Sequence, residues 1–486
     1  MTMTDADVII IVGGGVGGLV VAHDLARAGR RVIVCEASDR VGGLLRRGTL
    51  AGLDLDLGAE SFATRTDAVA ALVADAGLGL DLVEPRPGGA FLAVATDAGA
   101  VRAPLPRRTV LGIPADPRAA DIVALIGADA AARAAEEPSL SPYTPDADEP
   151  SLYDLVAERL GPVVAHRLVN TLCRSVYSRP ASAARLSTLH PGLWRAFLAH
   201  GSLVVAAGEV AQTARAGASV GGISGGMWRL PEALADAARR HGAQVRTGAP
   251  VIAIDDDGDA PLVVRTSEGA LTASRVVVAT GQSVADRLLG VPPTPATQPA
   301  PPDGRVRVVA AAIDHAGLDG YPVGSGVIVD PALPTAAKAL THVTAKWEWA
   351  AAAAPAGRHL VRLSARAADG AGLATSTDVA REVELLTGVA VRPEHVVDLV
   401  VQDWTDAVST PADDDSGPAR AEAITRAARR GIHRAGAAVA GTGLASVIPH
   451  ARALAADLLA ELDGTPDLHP IHRATDSAAH PARSLA

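Results

Sequence analysis

The residues best placed to do chemistry come early, as Gly13-x-Gly15-x-x-Gly18 followed by Glu36. The glycines fall between a β-branched apolar run at 8–12 and an Ala- and Leu-rich stretch at 16–28 that stops at Gly29. A second apolar run, 32–35, ends on the acid. Strand, glycine turn, helix and strand make one βαβ unit, and the strands are apolar on both faces, as in a buried parallel sheet. In that setting each glycine has a task. The first permits the tight turn, the second lets backbone approach a pyrophosphate, and the third lets helix and strand pack closely. The helix N-terminus then offers free N–H groups and a positive dipole end to the phosphates. Glu36 can accept both hydroxyls of an adenosine ribose, and an acid there disfavours a 2′-phosphate. The loop therefore predicts an adenine dinucleotide and argues against NADP.

The elements that must hold this loop belong to a chain of 486 residues, more than one ordinary domain. Hydrophobic residues make up 48% but aromatics only 2%, so the core must be Ala, Val and Leu. A net charge of −10 lacks the basic footprint of nucleic-acid binding. The two cysteines, Cys35 and Cys173, are too few for a disulfide framework or a Cys-based zinc site, and no metal site is expected. Lysine occurs only at Lys338 and Lys346. The start has no basic n-region, and no uncharged apolar run reaches the ~20 residues of a membrane helix. A soluble, cytoplasmic protein without a transmembrane segment is expected.

Two further α/β blocks follow. The middle one has a glycine loop, a helix at 231–241, a hairpin and a buried strand at 276–279. The last reads "GIHRAGAAVAGTGLASVIPHARALAADLLAEL", a strand, a glycine loop and a long helix. Between the blocks lie helix-like pieces at 117–126 and 129–137, an exposed loop at 136–150, and two helices split at Gly161-Pro162 with Ser151 as N-cap. Strand candidates at 306–313, 326–329, 339–345 and 359–365 suggest an antiparallel sheet. The fold class is α/β (α+β overall), a discontinuous Rossmann-like domain with two insertions. Its dinucleotide-binding segments are 5–84, 216–295 and 401–464; a helical insertion occupies 85–215 and an antiparallel-sheet substrate domain 296–400. A Pro-rich connector at 292–304 precedes the sheet, and 465–486 reads as a flexible tail.

Beyond Glu36 come Ala37, Arg40, Gly42 and Gly43; the middle strand ends Ala279-Thr280-Gly281; and Gly441 and Gly443 open the last helix. Acid, then R-x-G-G, then these two elements in order, resembles the glutathione-reductase-type FAD proteins of the amine-oxidase and desaturase branch. "LGAESF" (57–62), "SLYDLVAERLGPVVAHRLVNTLCRSVYSRPASAARLS", "ISGGMWRLPEALA" and "AGTGLASVI" go further. Together they are similar to the porphyrinogen oxidases of haem biosynthesis, protoporphyrinogen oxidase and bacterial coproporphyrinogen III oxidase, over residues 8–462. Two departures stand out: Ser175 where the family usually has glycine, and "DAVSTPADDDSG" where a Pro-Tyr usually follows the tryptophan at 404.

The resemblance implies FAD, held non-covalently, because the cysteine used for attachment in this branch lies near the C-terminus and both cysteines here lie early. It implies contacts from Gly13, Gly15, Val16, Gly17, Gly18, Glu36, Ala37, Arg40, Gly42, Gly43, Gly58, Ala59, Glu60, Val251, Ala279, Thr280, Gly281, Trp404, Gly441, Gly443, Ser446, Val447 and Ile448. The implied reaction removes six electrons from a porphyrinogen in three two-electron steps. Flavin N5 can accept a hydride from a meso carbon while a pyrrole N–H loses a proton, and oxygen then reoxidises the flavin and yields peroxide. No protein acid or base is obligatory, and His190, His200 and His342 read as ordinary histidines. Propionates favour arginine forks, for which Arg65, Arg174 and Arg179 are the candidates. Coproporphyrinogen III is the preferred substrate, with protoporphyrinogen IX next; a flavin amine oxidase or desaturase and a non-catalytic flavin-bound scaffold are the alternatives. Handover to a ferrochelatase is expected, and peripheral membrane contact remains compatible with the sequence.

Overall fold

The computed structural model describes residues 8–145, 148–176, 179–213, 220–256, 258, 260–291, 305–366, 372–405, 407 and 417–464. The Pro-rich connector at 292–304, Tyr177, most of "STPADDDSG" and the tail at 465–486 lie outside the described residues.

The glycine loop belongs to a five-stranded sheet built from three distant parts of the chain. Its elements are β1 (Val8–Val12), α1 (Val16–Arg27), β2 (Arg31–Cys35), α2 (Arg229–Arg240), β3 (Gln244–Arg246), β4 (Arg275–Val278), β5 (Ile432–Arg434) and α3 (Leu444–Leu462). The strand order is β3-β2-β1-β4-β5, with every pairing parallel. Ile9, Ile11, Val34 and Val277 face the core made with α1, α2 and α3. Val8, Ile10, Val12, Val276 and Val278 face a three-stranded antiparallel sheet, Val251–Asp255, Leu262–Thr266 and Gly269–Ala273. Burial on both faces is why β1 carries no polar residue.

A seven-stranded sheet forms the second layer, in the order Val396–Trp404, Val306–Asp314, Arg358–Arg366, Ala339–His342, Gly326–Val329, Phe91–Thr96, Gly99–Pro104. It is mixed rather than antiparallel: Gly326–Val329 pairs parallel with Phe91–Thr96, which brings a hairpin from much earlier in the chain. Parallel pairing needs no local turn, so nothing in the sequence near either strand announces it. The strand expected over 339–345 stops at His342, and Val343–Lys346 forms a helical turn. There Thr344 Oγ1 accepts the Leu360 N–H at 3.3 Å. A side chain thus satisfies a backbone donor in the neighbouring strand.

Register assigns the two faces. Leu360, Arg362 and Ser364 share one with Ala310, Ala312, Ala339, Thr341, Ile328 and Leu92. At one end of this face Ala310, Ala312 and Leu360 pack with Leu50, Leu55, Leu57 and Trp347. At the other end Leu92 and Ile328 pack against the helical lobe. Ala339, Thr341 and Ser364 lie between the two and stay half-buried. The opposite face, with Leu340 and Leu363, is covered by the helix Ser376–Thr387.

The helical lobe begins as expected, with Ser151 accepting the Asp154 N–H at 3.1 Å and Gly161 (φ +99°) separating Leu152–Leu160 from Pro162–Val164. A π-helical stretch, Ala165–Asn170, carries the chain on to Thr171–Val176. Among the described residues no helix is long and apolar enough to cross a membrane. The lobe is fastened by Glu137, fully buried, which accepts from Arg159 Nε (2.9 Å), Ser202 Oγ (2.5 Å) and the N–H groups of Leu203 (3.0 Å) and Val204 (3.2 Å). Glu137→Ala strands the buried guanidinium, so a loss of about 3–5 kcal/mol is expected. A chemical-denaturation midpoint checks it.

Candidate active site

Close backbone approach shapes the glycine loop. A Cβ on Gly18 would stand 2.2 Å from Gly13 O, one on Gly13 (φ +107°) 2.8 Å from Ala279 O, and one on Gly17 2.8 Å from Gly436 Cα. Gly15 differs: it is half-exposed, and a Cβ there would meet nothing within 4 Å. Three glycines therefore bring α1, β4 and the loop before α3 together, and Gly15 leaves open space above the turn. Gly42 donates its N–H to Gly14 O (2.8 Å), and Arg40 holds the second glycine pair by donating to the carbonyls of Val41 (3.0 Å), Leu45 (3.2 Å) and Gly43 (3.2 Å). Neither α1, with N-cap Gly15, nor α3, with N-cap Gly443, has a side-chain cap. Their first-turn N–H groups suit an anionic ligand.

Glu36 is oriented by the loop it serves. Its Oε2 accepts Gly14 N–H (2.7 Å), and its Oε1 accepts Ser38 N–H (2.9 Å) and Oγ (2.7 Å). A carboxylate has about four acceptor sites, so capacity for a ribose hydroxyl remains. Ala249 donates its N–H to Glu36 O at 2.9 Å and so brings the strand headed by Val251 alongside. Ala37 is exposed next to it. Open glycine, uncapped helix ends and a positioned acid fit FAD.

The run 58–65 links this cradle to the second sheet. A Cβ on Gly58 would lie 1.7 Å from Leu44 O, which makes glycine obligatory there. Ala59 N–H donates to the same carbonyl (3.0 Å), and Trp404 Nε1 donates to Leu57 O (2.9 Å). Glu60 accepts from Lys346 Nζ at 2.7 Å and from Thr341 Oγ1 at 3.4 Å, and its second oxygen lies 3.3 Å from Arg362 Nη1. Burial pushes the Glu60 carboxyl up, but Lys346 and Arg362 outweigh it and hold it below its ordinary value. Five residues on, Arg65 donates to Ser446 Oγ in the first turn of α3 (3.2 Å).

The other expected residues divide. Thr280 flanks Gly13, and Gly281 caps the helix Gln282–Leu288. Val447 packs on Gly17, and Ile448 is buried in the core behind α1, so their side chains serve packing. Arg174 lines a cavity of about 700 Å³ with Ser175, Thr335, Lys338, Arg381 and Glu382, none of them an expected FAD contact. Arg179 is placed by its N–H to Cys173 O (3.4 Å). His190 is structural: its Nδ1 accepts Leu193 N–H (2.9 Å). His200 pairs with Glu209. His342 is fully buried 3.1 Å from His359; burial, then His359, pushes it down to about 3 and keeps it neutral. The sequence alone did not point to Arg362, Thr341 or Asp56, and it brought in Lys346, with Trp347, only for the amine-oxidase alternative. The one available signal was the scarcity of lysine.

Fold and cradle define a flavin-dependent oxidoreductase. The chain matches the family described as Flavin containing amine oxidoreductase over residues 16–459. It is 30% identical over 428 residues to a coproporphyrinogen III oxidase of Mycobacterium tuberculosis, covering 85% of this chain and 88% of the relative. Protoporphyrinogen oxidase of Bos taurus is 27% identical over 315 residues, 59% of this chain and 62% of the relative. A solved putative protoporphyrinogen oxidase from Exiguobacterium shares the fold at a TM-score of 0.77, with 20% identity over 94% of this chain and all of its own. The chain belongs to the porphyrinogen oxidases within the flavin-containing amine oxidoreductases, and FAD is its cofactor.

Two measurements probe the site. Gly15→Ala has room for its methyl and should fold, yet bind FAD roughly tenfold or more weakly, whereas Gly18→Ala should lose the fold of the cradle itself. Thermal melts with flavin absorbance separate them. Asp56, buried under the N–H groups of Met227 and Trp228 (both 2.9 Å), is pushed up to about 7 by burial. Its folded pKa lies above the unfolded value, so its contribution is complete at acid pH and fades as pH rises to about 7. Relative to Asp56→Asn, the native chain should lose about 1.4 kcal/mol per pH unit between roughly pH 5 and 7, measured by denaturant titration.

Proposed function

We propose that the protein oxidises coproporphyrinogen III to coproporphyrin III, removing six electrons that molecular oxygen accepts as peroxide. The observation that carries this reading is the course of 58–65. It runs from the glycine cradle, past the half-buried strip Ala339, Thr341 and Ser364, to the first turn of α3. A tetrapyrrole macrocycle laid on that strip would lie between the FAD-binding loops and the helical lobe. Small and weakly polar side chains there favour a large, largely apolar ring.

When bound, FAD supplies the hydride acceptor. The chain's own residues bind, orient and exclude water. Gly13, Gly15, Gly18 and the uncapped N-termini hold the pyrophosphate and the ring system, and Glu36 holds the ribose. Arg65 stands at the first turn of α3, where a propionate of the substrate can meet its guanidinium. Glu60, kept ionised by two cations, is a weak proton acceptor. That agrees with a reaction in which pyrrole protons leave without a protein base. Arg174 is proposed as a second carboxylate contact where its cavity meets the substrate domain. Coproporphyrinogen, with four carboxylates, is preferred because the mycobacterial relative covers more of this chain at higher identity than the bovine one. Protoporphyrinogen IX is the second reading, supported by the bovine relative. Action in the cytoplasm and delivery of the product to a ferrochelatase complete the proposal.

The holoenzyme given a colourless porphyrinogen in aerated buffer should develop porphyrin fluorescence with matching oxygen uptake, faster with the copro than the proto substrate. Arg65→Ala should raise KM about tenfold, the value of one charge-assisted contact, with kcat changed less. Alanine at Arg65, Arg174 and Arg179 together with no change in KM overturns the propionate assignment.

A further inference from the structure

A carboxylate held by one cation is ordinary; Glu60 is held by two. Lys346 Nζ lies 2.7 Å from Oε1 and Arg362 Nη1 3.3 Å from Oε2, and the three side chains are only 12%, 14% and 9% exposed for Lys346, Glu60 and Arg362. Arg362 also donates to Gly58 O, in the same run. Asp56, which also feels the Arg362 charge, is directed at the N–H groups of Met227 and Trp228 and is pushed up to about 7 by burial, so it offsets that charge only in part near neutral pH. Among these three side chains, two positive charges stand against one negative charge. A surplus buried charge is costly unless a negative group arrives to meet it.

We propose that the Lys346–Glu60–Arg362 cluster is a positioning group whose surplus positive charge makes the bound flavin easier to reduce. The inference rests on the flavin reading above. Two-electron reduction of a flavin with uptake of one proton adds one negative charge to the ring system. Glu60 belongs to the run that ends at Arg65 and the first turn of α3, so the cluster borders the region where that charge develops. A preorganised cation costs no rearrangement when charge appears. Lys346 acts from the helical turn that replaces the end of a strand, and Arg362 from the neighbouring strand, so the second sheet supplies both charges.

The test uses the holoenzyme and reads the ratio of reduced to oxidised bound flavin at equilibrium with a reference dye at fixed pH. Lys346→Met removes a positive charge and should lower that ratio about tenfold, the scale of a unit-charge interaction at an effective dielectric near 20. Glu60→Gln removes the negative charge and should raise it by a similar factor. Arg362→Lys keeps the charge and should leave it within about twofold. A merely structural cluster predicts the same sign for Lys346→Met and Glu60→Gln, since both break one contact; that result, or no shift in either, overturns the proposal. If Lys346→Met does not retain flavin, Glu60→Gln decides alone: a rise supports the proposal and a fall or no change overturns it. A wild-type protein that binds no flavin overturns the cofactor reading and this inference with it.

Discussion

The structure depends on backbone meeting backbone at the carboxyl edge of a parallel sheet. Gly13 lies against Ala279, Gly18 against Gly13 and Gly17 against Gly436, each too close for a side chain. Those contacts join residues from three distant parts of the chain into one cradle. They also leave Gly15 and the first turns of two helices free of their own side chains, so a ligand can take those N–H groups. The insertions between the three parts can be large because closure of long loops costs little extra entropy as length grows.

A second constraint ties the cradle to the other sheet. Gly58 is jammed against Leu44 and is held from the far side by Arg362. Trp404, at the edge of the seven-stranded sheet, donates to Leu57. The flavin loop is thus clamped between two layers, and a hydride transfer needs such fixed distances. The chain does this with few aromatics. Trp347 fills the space over Gly222, where a Cβ would come within 2.6 Å of its ring.

Parts of this were legible because their causes are local. The βαβ unit, the Ser151 cap and the break at Gly161-Pro162 each follow from a short run of residue types, and each is present. The strand at 339–345 misled because Val343 and Thr344 are β-branched, yet the chain enters a helical turn after His342, where Thr344 Oγ1 accepts the Leu360 N–H. The three arginines follow from their charge and from their places after "AESFAT" and around the "VY" turn. Arg65 stands at α3, while Arg174 lines a separate cavity, a difference that depends on which helix faces which sheet edge.

By itself, the sequence determined the nucleotide loop and the class of cofactor, because glycine spacing, strand burial and a terminal acid act within some thirty residues. Only the tertiary structure decided which charged side chains gather beside the run 58–65. Glu60 lies some three hundred positions from Lys346 and Arg362, and nothing in that spacing foretells contact. They meet because the register of the second sheet sets Thr341 and Arg362 on one face, and a single helical turn carries Lys346 over it. Charge pairing at that range is a property of the folded layers.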